Sequence, residues 1–337
     1  MKVLVTGATG FLGGSLIQRL LARGERDIRC LIRGSSKIAA LDDIMKHHPE
    51  AHVELFVGAL APNGGLDKAL EGVDVIYHLA AGLTGAAADI FLNTVVSSKH
   101  LLDAIVKTGR PIKVVLVSSF GVYGVADMPR NYVVDETTPL EAHPERRDLY
   151  SQAKLRQEKL FWEYRARYGI PLVVLRPGVI YGPHGSAFSA RVGIRLLGFF
   201  WHLGGSNILP LSYVDNCAEA IVVAGQSNET EGQVYNVLDD DLLTCSEYLK
   251  HYQENVRPVR PIHIPYFAMV KASDLVQRYN RYSKGQLPAI FTPYKTATTW
   301  KGNRFDNTKI KRLGWKQIVP TAEGLKRNFI WFRDHPK

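Results

Sequence analysis

Along this chain, short runs of β-branched and aliphatic residues alternate with longer stretches whose apolar positions recur at helical spacing. KVLVT (2–6), IRCLI (28–32), HVELFV (52–57), VDVIYHL (73–79), IKVVLVS (112–118), PLVVLR (171–176) and QVYNVL (233–238) read as buried strands. Between them, residues 11–23, 89–108 and 151–168 read as helices. Continuous apolar strands separated by helices predict an α/β fold, a doubly wound parallel sheet covered on both faces.

Beyond residue 240 the alternation stops. Pro258, Pro261, Pro265, Pro288 and Pro293 are expected to break that region into irregular pieces and short helices, and 321–335 is expected to form a closing helix after Pro320. Two aromatic-rich segments, IRLLGFFWHLGG (194–205) and PYFAMVKASDLVQRYNRY (265–282), read as core packing at helical spacing, with substrate contact as the alternative. The chain therefore divides into a main unit, 1–177 plus about 212–238, and a smaller discontinuous C-terminal cap, about 178–211 plus 239–337.

Composition narrows the function classes. The 337 residues suffice for a full core, and 46% hydrophobic with 22% charged residues is ordinary for a globular protein. A net charge of +10 suits an anionic ligand, but the basic residues are scattered with no long run, which argues against nucleic acid. Cys30, Cys217 and Cys245 have no metal-like spacing and read as reduced thiols, so no metal site and a cytoplasmic location are expected. The start MKVLVTGATG runs straight into a strand and a glycine turn, without the pattern of a signal peptide. The apolar stretch 192–205 contains Arg195 and His202 and is too short for a membrane span.

The glycine turn carries the first chemistry. VLVTGATGFLGG places Gly7, Gly10 and Gly13 between the first strand and the first helix. Gly7 allows a tight turn, Gly10 lets backbone approach a pyrophosphate, and Gly13 lets the helix pack close to the strand. The helix N-terminus then offers free N–H groups and a positive dipole to the phosphates. This reads as the dinucleotide-binding turn of a Rossmann-type sheet, with a glycine-rich βα turn that binds no ligand as the alternative. At the end of the second strand, CLIRGSSK presents Arg33 and no acid. An acid there would suit the ribose 2′-hydroxyl of NAD, whereas the planar fork of Arg suits the 2′-phosphate of NADP. NADP(H) is favoured, and NAD(H) stays open because Arg33 also reads as a solvated strand end.

The second is YSQAK (150–154), which sets Tyr150 and Lys154 one turn apart on one helix face. A neighbouring ammonium favours the phenolate, so such a pair can act as an acid/base. On its own the pair also arises by chance. With TGATGFLG (6–13), HLAA (78–81), Asn93, VSSFGVYG (117–124), LRPGVIYGP (175–183), YVDN (213–216) and DNTKIKRLGW (306–315) in this order, the chain resembles the extended short-chain dehydrogenase/reductase family, of the NAD-dependent epimerase/dehydratase kind.

That resemblance implies Ser119, Tyr150 and Lys154 as the catalytic group. Tyr150 exchanges a proton with the substrate oxygen during hydride transfer, Lys154 lowers the Tyr150 pKa and holds the nicotinamide ribose, and Ser119 bonds the reacting oxygen. Ser118 is then a strand-end residue, and Asn93 a loop tie without a catalytic role. The cofactor-binding set it implies is Gly7, Thr9, Gly10, Phe11, Leu12, Gly13, Arg33, Leu60, Leu79, Ala80, Ala81, Tyr150, Lys154, Pro177 and Val179. His184 stands as either a substrate contact or a solvated loop residue.

Three departures from the family pattern bear on the substrate. Ala59 replaces the acid expected to meet the adenine amino group, leaving Leu60 to pack the ring. Gly178 stands where nucleotide-sugar members carry Asn, and TWKGNRFD (299–306) lacks their R-x-G-D segment, although Lys301 or Arg304 can meet a diphosphate.

The expected function is NAD(P)-dependent hydride transfer at a secondary alcohol or ketone, with Tyr as acid/base. A nucleotide-sugar epimerase or dehydratase with tightly bound NAD is the alternative, and a non-enzymatic NADP sensor is the third reading. The resemblance also implies a homodimer through the helices at about 89–108 and 151–168.

Overall fold

The structure is a computed structural model that describes residues 1–196, 198–282 and 292–336. Seven strands form the central sheet in the order Gln233–Val237, Leu172–Pro177, Lys113–Val117, Val75–His78, Lys2–Thr6, Asp27–Ile32, His52–Val57. Every neighbouring pair is parallel. All seven expected strands are present, with ends within two residues of the expectation. The order runs outward in both directions from Lys2–Thr6, so the switch point lies between that strand and Val75–His78, where open α/β sheets bind ligands.

Helices cover both faces. Phe11–Ala22 and Val214–Gln226 pack on one, where Leu16, Ile17, Leu20, Ile221 and Val222 are wholly buried. Ser97–Thr108 and Leu149–Tyr168 pack on the other through Leu101, Leu102, Ile105 and Phe161. The helix expected over 89–108 is divided: Ala87–Phe91 continues through a π-helical turn, Leu92–Val96, into Ser97–Thr108. The motifs at 213–216 and 306–315 prove to be clamps. The Asn216 side chain donates to Asp239 at 2.8 Å and to the Val319 carbonyl at 2.9 Å, while the Trp315 indole donates to the Asn216 carbonyl at 3.1 Å.

Two expectations for the cap region are corrected. The segment 194–205 is a β-hairpin, Gly193–Leu196 against Phe199–His202, with Gly198 in the connection at φ +79°. A glycine at positive φ reverses the chain where a helix would have continued, and Pro261–His263 adds a third strand to this sheet. The prolines start elements more than they break them. Pro265 immediately precedes Tyr266–Tyr282, a helix of 17 residues, and Pro293 is the first residue of Pro293–Trp300, positions where a missing N–H costs nothing. Pro288 lies outside the described residues.

Candidate active site

Because the sheet is parallel, the carboxyl ends of all its strands meet at one edge, and the predicted site residues gather there. The glycine turn follows the first strand, Arg33 the second, Leu60 the third, Leu79–Ala81 the fourth, Ser119 the fifth and Val179 the sixth, which ends at Pro177. Gly7 has φ +77°, and a Cβ there would stand 3.0 Å from the Ala80 nitrogen, so the turn is pressed against the end of the fourth strand. A Cβ at Gly13 would collide with the carbonyl oxygens of Gly7 and Ala8. At Gly10 a Cβ would meet the Gly7 oxygen at 3.2 Å and nothing nearer among the described residues beyond its chain neighbours. Thr9, Gly10 and Phe11 are exposed, Leu12 is buried, and the helix begins without a side-chain cap or an acid in its first turn. The turn is thus open where a pyrophosphate would approach and closed where helix meets strand.

Arg33 is exposed, on a turn closed by Ser36 N–H to the Arg33 carbonyl (2.9 Å) and Arg33 N–H to the Ser36 hydroxyl (3.0 Å). Leu60 is half-buried, its carbonyl 3.2 Å from His100 Nδ1. The glycine cradle and the free helix N-terminus are chemically the parts a nicotinamide dinucleotide requires.

The helix Leu149–Tyr168 starts at Asp148, whose carboxylate accepts from the Ser151 N–H at 3.1 Å, and this puts Tyr150 in the first turn. Ser119, whose hydroxyl accepts from the Gly121 N–H at 3.0 Å, stands close enough to Tyr150 to favour its phenolate. Burial holds the phenol above its ordinary pKa, outweighing the lowering effect of Ser119. Lys154 is 2% exposed and turned inward, donating to the Val117 carbonyl at 2.6 Å and to Gln157 Oε1 at 2.5 Å. Burial pushes its pKa down to about 7, with Glu158 acting in the opposite sense. The expected lowering of the Tyr150 pKa by Lys154 is thus not what governs the phenol in this arrangement; desolvation is.

Around these residues lies a buried polar layer that motif reading did not reveal. Ser118 is more than a strand end: its hydroxyl donates to Glu158 at 2.5 Å, and Arg176 meets the same carboxylate at 2.5 and 3.2 Å. Arg176 also lies over the Tyr123 ring, 4.7 Å from its centroid. His78 sits wholly buried between the Thr6 and Ser98 hydroxyls, each at 2.8 Å, and burial pushes its pKa down to about 3. The signal available in the sequence was the polar stripe Tyr150, Lys154, Gln157 and Glu158, one face of a helix that covers a sheet.

Other candidates resolve differently. Asn93 is exposed and donates to the Asp89 carbonyl, as a local tie would. The His184 ring lies 5.0 Å from that of Trp331, on the last helix. Lys301 donates to the Met128 carbonyl at 2.6 Å, and Arg304 is exposed on a short strand paired with Val133–Val134. Cys30, Cys217 and Cys245 are buried and free. Among the described residues there is no group of side chains suited to a metal ion, and no helix is long and apolar enough to cross a membrane.

The model of the NAD dependent epimerase/dehydratase family matches residues 3–237. A trifunctional UDP-glucose 4,6-dehydratase/UDP-4-keto-6-deoxy-D-glucose 3,5-epimerase/UDP-4-keto-L-rhamnose-reductase of Arabidopsis thaliana is 24% identical over 100% of this chain and 47% of its own. A 3beta-hydroxysteroid-dehydrogenase/decarboxylase of the same plant is 25% identical over 98% of this chain and 61% of its own. The chain thus spans about half the length of the curated relatives it matches first. Among solved structures, a UDP-glucuronic acid 4-epimerase from Bacillus cereus in complex with NAD superposes with a TM-score of 0.73 at 20% identity, covering 100% of this chain and 98% of that one. That likeness supports the same fold.

Proposed function

The chain belongs to the NAD-dependent epimerase/dehydratase family, and from that premise we propose that it is an NADP(H)-preferring oxidoreductase acting at a secondary alcohol or ketone. The observation that carries this reading is the meeting of Ser119 and Tyr150 at the carboxyl edge of the sheet, beside a buried Lys154. Residues 1–177 and about 212–238 hold the dinucleotide, and the remainder forms the cap over the substrate. Gly7, Thr9, Gly10, Phe11, Leu12 and Gly13 receive the pyrophosphate, Arg33 the 2′-phosphate and Leu60 the adenine. Leu79, Ala80, Ala81, Pro177 and Val179 line the nicotinamide end.

When bound, the dinucleotide supplies or takes the hydride. The protein's own work is with protons and positions. Ser119 orients the substrate oxygen toward Tyr150. A phenol held above its ordinary pKa keeps its proton at neutral pH, which suits donation to a carbonyl oxygen as charge develops there. Lys154 spends two of its ammonium protons on the protein and retains one for the nicotinamide ribose.

A nucleotide-sugar epimerase or dehydratase is the second reading, favoured by the match of the whole of this chain to 47% of the trifunctional dehydratase. The engagement of Lys301 by Met128 removes one of the two cations available for a diphosphate. We place the protein in the cytoplasm, and as a homodimer in which exposed Leu92 and Val96 contribute apolar contact. Mass spectrometry of the purified protein, followed by titration with NADPH, tests the main reading. Exchangeable NADPH and turnover of a ketone are expected; tightly retained NAD would overturn it in favour of the epimerase.

A further inference from the structure

Gln157 is wholly buried, one turn beyond Lys154. A buried amide in a helix that faces a sheet needs partners for both of its ends, and here each end is committed. Its oxygen accepts from Lys154 Nζ at 2.5 Å. Its nitrogen lies 2.7 Å from Ser98 Oγ, 3.3 Å from the Thr94 carbonyl and 3.4 Å from the Ala80 carbonyl. An ammonium only donates, so the amide must present its oxygen to the lysine.

The rest of the network enforces the same direction. Ser98 donates its one hydroxyl proton to the Thr94 carbonyl at 2.5 Å, which leaves Oγ to accept from Gln157 and from His78 Nε2. His78 therefore carries its proton on Nε2 and accepts from Thr6 at Nδ1. Neutral His78 is the form that burial favours. A reversed Gln157 amide would turn an N–H₂ toward the ammonium and an oxygen toward the Thr94 and Ala80 carbonyls.

We propose that Gln157 is a positioning residue for Lys154: its amide oxygen, held in place by Ser98 and Thr94, anchors the ammonium with the Val117 carbonyl and leaves one proton for a ligand. The role given to that proton rests on the oxidoreductase reading above; the anchoring itself does not. The Thr94 carbonyl that meets the amide lies within the π-helical turn Leu92–Val96, where the chain departs from the regular helical ladder. Titratable groups facing the lysine are Glu158 on its own helix and His78 from the fourth strand, with Tyr150 one helical turn before it and Arg176 of the sixth strand behind Glu158.

The test uses Gln157→Met, which removes the acceptor at similar length, and Gln157→Glu, which retains it and adds a charge. Without ligand, thermal unfolding is followed from pH 6 to 11. Lys154 titrates at about 7 when folded against 10.5 as a free side chain, so wild-type stability should rise with pH between those values. The lower end of that rise should move down by about one pH unit in Gln157→Met and up by at least one in Gln157→Glu. With ligand, NADPH affinity is measured across the same pH range, and Lys154→Met serves as the reference for loss of the ammonium. Opposite displacement of the two Gln157 variants in both measurements supports the proposal. Wild-type profiles, or equal displacement of both variants in one direction, would overturn it. If the stability profiles split as expected while Lys154→Met binds NADPH normally, the anchoring holds and the ribose role of Lys154 fails.

Discussion

The Lys154 ammonium lies 2.6 Å from the Val117 carbonyl oxygen. That bond joins the helix bearing Tyr150 to the end of the strand that leads into Ser119, and so ties together the two elements that carry the proposed acid/base and its serine neighbour. A helix packed on a sheet through apolar residues alone could slide by a fraction of an ångström. A buried charge-assisted bond near Tyr150 resists that movement.

Tyr150→Phe removes one oxygen and keeps the ring. Turnover of the true substrate should fall by about 10²–10⁴-fold while dinucleotide affinity is retained. Steady-state kinetics beside a binding titration check it, and near wild-type turnover would show that Tyr150 is only a neighbour of the site.

Arg33 is exposed at the end of the second strand. A charge-assisted bond to a 2′-phosphate contributes on the order of 1.5–3 kcal/mol. Calorimetry should find NADP(H) bound roughly ten- to hundredfold more tightly than NAD(H), with Arg33→Ala abolishing the difference. A preference for NAD that persists in the variant would refute this assignment.

The two glycines of the turn should fail differently. In Gly13→Val the new side chain meets two backbone carbonyls, so the melting temperature should drop sharply or the protein should not fold. In Gly10→Val the new Cβ meets the Gly7 oxygen at 3.2 Å, with no collision among the described residues. Folding should persist and dinucleotide binding should vanish; normal binding in that variant would mean the turn is misread.

His78 should make the protein sensitive to acid. Its folded pKa is about 3 against 6.5 for a free histidine. A depressed folded value means that the unfolded chain takes up the proton first, so stability is present above pH 6.5 and is lost as pH falls toward 3. The loss is on the order of 5 kcal/mol at its fullest. Urea denaturation of His78→Gln should show lower stability at pH 7 but a flatter decline below pH 6. An unchanged slope would assign the acid sensitivity to other groups.

Much of this architecture is carried by local pattern. The seven strands follow from runs of buried β-branched residues, and the glycine turn from spacing that only one kind of strand–helix junction requires. Tyr150 and Lys154 share a face because 3.6 residues make a turn, whatever surrounds them. The hairpin at 193–202 was not legible in this way, since a short aromatic run suits either period until the chain reverses at Gly198. What Lys154 touches was decided only by tertiary structure. Val117 is 37 residues away from it, and Gln157, which holds its ammonium, reaches Ser98 across 59. Hydrogen bonds of that kind leave no periodic trace. They exist because the parallel sheet brings the ends of distant strands to one edge and withdraws them from water, where each polar group must find a partner in the protein.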